Sequence, residues 1–133
     1  MNPRKVRILM ARLGEGYAEA MMKLARAFSE SGYEVIYTDI SQPEAIVAAA
    51  IQECVDHIGI TTLPGADIQE FARVFDLLAR ENASHIRITA GGFLSDEDIA
   101  RVKALGVVEF FPKGTTYDEL IKWSENNIKA AEY

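Results

Sequence analysis

"HIGITTLPGADIQEFARVFDLLARENASHIRITAGG", residues 57–92, decides the fold. Two short apolar runs, "HIGITTL" (57–63) and "HIRITAGG" (85–92), flank one amphipathic segment. Both runs are rich in isoleucine and threonine. One is stopped by Pro64-Gly65 and the other ends in a glycine pair, which is how buried strands read. Between them, residues 67–80 carry Ile68, Phe71, Val74, Phe75 and Leu78 at helical spacing. Strand, helix and strand in succession form the unit of a parallel sheet.

The same alternation continues in both directions. Upstream, "KVRILMA" (5–11) reads as a buried strand. Residues 18–31 read as a helix with Met21, Ala25 and Phe28 on one face and Leu24 beside them, closed by Gly32. "EVIYTDI" (34–40) is a second strand. A helix then starts at "SQPEAIVAAAIQE", capped by Ser41 or Gln42 with Pro43 in its first turn. Downstream, "SDEDIARVKAL" predicts a capping box between Ser95 and Asp98. "VVEFF" (107–111) and a helix over 117–130 complete five β-α units. Near-continuous apolar strands mean a parallel sheet covered on both faces. The expected architecture is one flavodoxin-like α/β domain over residues 1–133, a three-layer sandwich with strand order 2-1-3-4-5. Its crevice lies beyond the carboxyl ends of the strands, so the functional loops are 12–17, 61–66, 90–94 and 112–116.

Composition narrows the partners. Apolar residues make up 49% and charged residues 26%, a globular balance, with a net charge of −6. There is no basic stripe and no aromatic-basic interleaving, which argues against nucleic acid. No apolar run approaches the roughly 20 residues of a membrane span. The first residues are too weakly apolar for a signal peptide. The single cysteine, Cys54, excludes an internal disulfide and fits a reducing compartment, with the cytoplasm as the expected location. Cys54 reads as a small buried residue of the second helix, and Trp123 as a core or interface residue.

The loops carry little side-chain chemistry. "RLGEGY" (12–17) holds two glycines around Glu15, whose charge would repel a phosphate. "TTLPGAD" supplies Thr61 and Thr62, "AGGFLS" supplies Gly91, Gly92 and Phe93, and "FPKGTT" supplies Gly114 and Thr115. Smooth, hydroxyl-bearing loops suit a large flat ligand and not a nucleophile with its base. The acidic residues of a phospho-acceptor receiver are missing, although Lys113 would fit one. His57 and His85 fall at strand starts, opposite the crevice, and read as surface or boundary histidines.

With these loops in view, the chain resembles the cobalamin-binding domain of acyl-CoA mutases, the methylmalonyl-CoA and 2-hydroxyisobutyryl-CoA mutase group. The resemblance runs from "VRILMARLG" through "EVIYTDISQPEAIVAAAIQECVDHIGITTL" to "ITAGGFLSDEDIARVKALGVVEFFPKGTT". The family pattern is D-x-H-x-x-G, then S-x-L, then G-G. Gly91-Gly92 keeps the pair, and Thr61-Thr62-Leu63 keeps the hydroxyl and the leucine. The first motif becomes Glu15-Gly16-Tyr17-Ala18-Glu19-Ala20, in a loop one residue shorter than usual. In the family that histidine ligates cobalt, and the cofactor's nucleotide tail threads between the first and third strands. Tyr17 therefore stands at the ligand position, and a phenol with a pKa near 10 is a poor substitute for imidazole. It either faces the cofactor or packs at the start of the first helix.

The resemblance implies a carrier of cobalamin (adenosylcobalamin) with no protein histidine on cobalt and no catalytic residue of its own. The implied cofactor-binding set is Glu15, Gly16, Tyr17, Thr61, Thr62, Leu63, Gly91, Gly92, Phe93, Gly114 and Thr115. A separate catalytic barrel subunit is the implied partner, and homo-oligomers are possible. Gly91 and Gly92 are expected to border a groove beside Thr61 and Leu63, such that Gly92→Trp removes binding without unfolding. The alternative is a cobalamin-free regulatory or protein-binding module that kept the fold. A small independent enzyme ranks last.

Overall fold

A computed structural model describes residues 5–15, 19–39 and 41–130. Its five strands are β1 (Arg7–Leu13), β2 (Glu34–Tyr37), β3 (His57–Thr62), β4 (Arg87–Gly92) and β5 (Glu109–Pro112). They alternate with α1 (Glu19–Glu30), α2 (Pro43–Gln52), α3 (Ile68–Arg80), α4 (Asp96–Leu105) and α5 (Tyr117–Asn127). All pairings are parallel, in the expected order β2-β1-β3-β4-β5.

The ends differ from the sequence reading for local reasons. β1 continues to Leu13, with Arg12 opposite Thr61 and Leu13 opposite Thr62. Leu13 is fully buried, and the Arg12 guanidinium is held by Asp39 at 3.0 Å. β5 begins at Glu109 instead of 107, but Val108 already donates its N–H to the Ile88 carbonyl at 2.9 Å. α3 starts with a full capping box between Asp67 and Glu70 that the sequence reading did not single out. The box expected on α4 is half made. Ser95 accepts from the Asp98 N–H at 3.1 Å, while the Asp98 carboxylate turns to Arg101 at 3.6 Å. At α2, Gln42 is the capping residue but makes no side-chain cap bond.

The two faces of the sheet are unequal. Side chains alternate along each strand. Toward α2, α3 and α4 point Leu9, Ala11, Ile58, Ile60, Ile88 and Phe110, packed on Ile46, Phe71, Val74 and Val102 in one buried cluster. Toward α1 and α5 the cluster is smaller, built on Ile8, Met10, Met21, Phe28, Tyr33 and Ile128. In the middle of that second face β3 and β4 carry Gly59, Thr61, Thr89 and Gly91, which cannot fill the space.

The loop after β1 is fastened to the loop after β3. Leu63 donates to the Leu13 carbonyl at 2.8 Å, and Glu15 donates to the Pro64 carbonyl at 2.9 Å. Arg12 also reaches the Gly14 carbonyl at 3.1 Å. Gly14 has φ +92°, and a Cβ there would run into the Leu63 carbonyl. Gly14→Ala is expected to lower stability by about 2 kcal/mol, read as a fall in the urea midpoint at unchanged m-value.

Candidate functional site

A cavity of about 220 Å³ lies between the sheet and the α1–α5 layer. Its floor is Met10 of β1, Gly59 and Thr61 of β3, and Thr89 and Gly91 of β4. Met21 and Leu24 of α1 and Leu120 and Ser124 of α5 form the roof. It reaches the carboxyl-end loops at Phe111, Lys113, Gly114 and Thr115, and its inner end is closed by His57 and Ile128.

Gly59 is the main cause of the space. It sits in mid-strand between Ile58 and Ile60, which fill the opposite core. A Cβ on Gly59 would meet a single neighbour, the Thr89 hydroxyl at 3.9 Å, and would otherwise project into the cavity. A glycine inside a strand often marks a place where another group comes close.

The walls are mostly apolar, with polar groups at intervals. Ser124 donates its hydroxyl to the Leu120 carbonyl at 2.8 Å. His57 Nε2 and the Thr89 hydroxyl lie 2.9 Å apart. Burial pushes the His57 pKa down to about 3, helped by the Arg87 charge and opposed by Asp56. The imidazole is therefore neutral at pH 7 and only 3% exposed. This corrects the reading of His57 as a surface or boundary residue: the strand start is covered by α5 and the segment after it. His85, by contrast, is exposed.

The structure divides the residues singled out from the sequence. Thr61, Gly91, Gly92, Gly114 and Thr115 line the cavity. Thr62 does not: it faces the other side of the sheet, 1% exposed, and donates to the Gly91 carbonyl at 2.8 Å. Leu63 belongs to the turn and is not part of the lining. Phe93 stands outside, 61% exposed, with the Lys113 ammonium 4.7 Å from its ring centre. Glu15 is exposed in the fastened loop. Gly16 and Tyr17 lie outside the described residues.

The glycine pair, besides lining the cavity, has a role in the sheet. A Cβ on Gly91 would come within 2.9 Å of the Phe111 carbonyl. Gly92 has φ +114°, and a Cβ there would lie 2.5 Å from the Thr62 carbonyl. The sheet itself requires both glycines, so Gly92→Trp would disturb folding as well as the cavity. Gly59, Thr89, Met21 and Ser124 were missed. The sequence signal for Gly59 was an isolated glycine within an isoleucine-rich strand.

One further expectation changes. Cys54 is exposed, beyond the end of α2, in a turn with φ +52°. Trp123 is half-buried and meets Phe111 edge-on, with ring centres 5.3 Å apart. Among the described residues, no group of three or more His, Cys, Asp or Glu side chains is placed to hold a metal ion. No described helix is long and apolar enough to cross a membrane.

Residues 8–121 match the B12 binding domain family. The chain is 35% identical over 123 residues to the 2-hydroxyisobutanoyl-CoA mutase small subunit of Aquincola tertiaricarbonis, spanning 91% of this chain and 90% of that one. It is 29% identical over 114 residues to the methylmalonyl-CoA mutase large subunit of Streptomyces virginiae, covering 84% of this chain but only 16% of that much longer one. Among solved structures, a cobalamin-binding protein from Desulfitobacterium hafniense DCB-2 superposes with TM-score 0.78 at 16% identity, over 95% of this chain and 60% of that one. At that identity the likeness concerns the fold alone.

Proposed function

The chain belongs to the B12-binding domain family, and from that premise we propose that it is the cobalamin-carrying small subunit of an acyl-CoA mutase. The cavity under α1 and α5 carries this reading. It is a mostly apolar slot reaching the carboxyl ends of the strands, and Gly59 leaves its floor bare. A flat heterocycle with a sugar-phosphate tail fits such a slot. Thr61, Thr89 and Ser124 offer hydroxyls along it, and Gly114 and Thr115 stand at its outer end. When bound, cobalamin supplies radical chemistry at its cobalt–carbon bond. The residues of this chain would hold the nucleotide tail and exclude water from it. In the sequence, Glu15, Gly16 and Tyr17 occupy positions of the family's metal-side motif.

No protein imidazole is offered to cobalt in this reading. The chain has two histidines, and both are at the amino-terminal edge of the sheet: His57 is bonded to Thr89, and His85 lies just before β4. Acid-base work on an acyl-CoA falls to a separate catalytic subunit, in keeping with the small-subunit relative. A second reading, a cobalamin-free module, is favoured by Glu15, Tyr17 and Ala20 at the aspartate, histidine and glycine positions of the family motif.

Titration with hydroxocobalamin separates the two. The carrier reading expects a saturable absorbance change at one equivalent, toward the form whose base has left cobalt. After reduction, the paramagnetic resonance spectrum of the complex should lack nitrogen splitting. A nitrogen-split spectrum would overturn the claim about cobalt. The absence of any binding would overturn the carrier reading and support the module.

A further inference from the structure

A second recess, of about 430 Å³, opens at the other end of the sheet. It lies between the starts of β3, β4 and β5 and the carboxyl end of α5. Asp56, His85, Arg87, Trp123 and Lys129 line it, and His57 and Ile128 separate it from the cavity described above.

Its charge runs against that of the rest of the chain. The protein carries a net charge of −6, and the other described arginines pair with carboxylates: Arg7 with Glu34, Arg12 with Asp39, Arg26 with Glu30, Arg73 with Glu44, Arg80 with Asp76 and Arg101 with Glu97. Among the described residues Arg87 has no such partner. The nearby Asp56 carboxylate is turned to the backbone, accepting from the Arg7 N–H at 2.8 Å. Among the described residues the Lys129 ammonium reaches the Glu125 carbonyl, at 3.5 Å. Two cations, Arg87 and Lys129, therefore share the recess with one carboxylate that is already engaged, beside Trp123.

We propose that this recess is a second ligand site, taking a small anion, a carboxylate or a phosphate group, on Arg87 and Lys129. A guanidinium binds either group through two parallel hydrogen bonds. Trp123 offers apolar contact to whatever carries the anion. The proposal does not depend on cobalamin binding, because Arg87, Trp123 and Lys129 line this recess and not the cavity under α1 and α5.

Trp123 is the chain's single tryptophan and lines this recess; it also meets Phe111 at the first cavity, so the Arg87 variant is what assigns an emission change to the recess. The full-length chain would be titrated with inorganic phosphate and, separately, with benzoate, each at ionic strength held constant with chloride. A saturable emission change is expected with at least one probe, and Arg87→Gln should raise its midpoint about tenfold. Response to phosphate alone identifies a phosphoryl ligand, and response to benzoate identifies a carboxylate with an apolar body. No saturable change with either probe, or an unchanged midpoint in Arg87→Gln, overturns the proposal. Arg87 is exposed, so the variant should fold. If its melting temperature falls, Lys129→Gln provides the same comparison with the same two outcomes.

Discussion

Gly59→Val is expected to weaken cobalamin binding about a hundredfold while leaving the melting temperature of the free protein unchanged or slightly higher. The reasons for the two effects are separate. In the fold, Gly59 has no positive φ, and its Cβ would meet only the Thr89 hydroxyl at ordinary contact distance, 3.9 Å. A β-branched residue in mid-strand also removes the roughly 0.5–1 kcal/mol entropic cost of glycine. In the complex, the same side chain occupies the floor on which a planar group would lie. Overpacking of this kind costs about 1–3 kcal/mol, up to about a hundredfold in affinity. Hydroxocobalamin titration and thermal melting on the same preparation check both halves. Unchanged affinity would place the nucleotide tail outside this cavity, even if the wild-type chain binds cobalamin well.

Acid should destabilise the protein well before its carboxylates are fully protonated, through His57. In the fold the imidazole stays neutral down to about pH 3. In the unfolded chain it takes up a proton near its ordinary value of about 6.5. Between those values the unfolded state binds more protons, so stability rises with pH and is lost as pH falls through the window. The full span is worth at most about 5 kcal/mol, comparable to the lower end of a domain's total stability. Urea midpoints from pH 7 to pH 4 should drop steeply. His57→Gln, which keeps a polar group for Thr89, should flatten that dependence. Equal slopes in the two proteins would show that other groups govern acid unfolding.

The parallel sheet and its order were legible because each strand is a short apolar run and each helix keeps its own spacing. Boundaries drifted where side chains outweigh local pattern, as when Arg12 and Leu13 extend β1 by burying one residue and pairing the other. The site was harder to read. Loop composition pointed to the end of the sheet that the cavity reaches and to Thr61, Gly91, Gly114 and Thr115 of its lining. It could not separate Thr61 from Thr62, because a one-residue step moves a side chain to the opposite face. Nor could it show that Gly91 and Gly92 are demanded by Phe111 and Thr62, or that the space itself comes from Gly59. His57 looked peripheral because a strand start tells nothing about the helix that will cover it.

The unequal faces of the sheet have a consequence for how the molecule opens. The layer of α2, α3 and α4 is anchored on a filled core, whereas α1 and α5 rest on a floor with a gap in it. They are expected to be the weaker foldon, its amides exchanging through excursions smaller than global unfolding. Anything that fills the gap supplies the missing contacts of that layer, and occupancy is then the last step of folding for half the protein. One half of the core is complete within the chain, and the other leaves room for a group the chain does not itself supply.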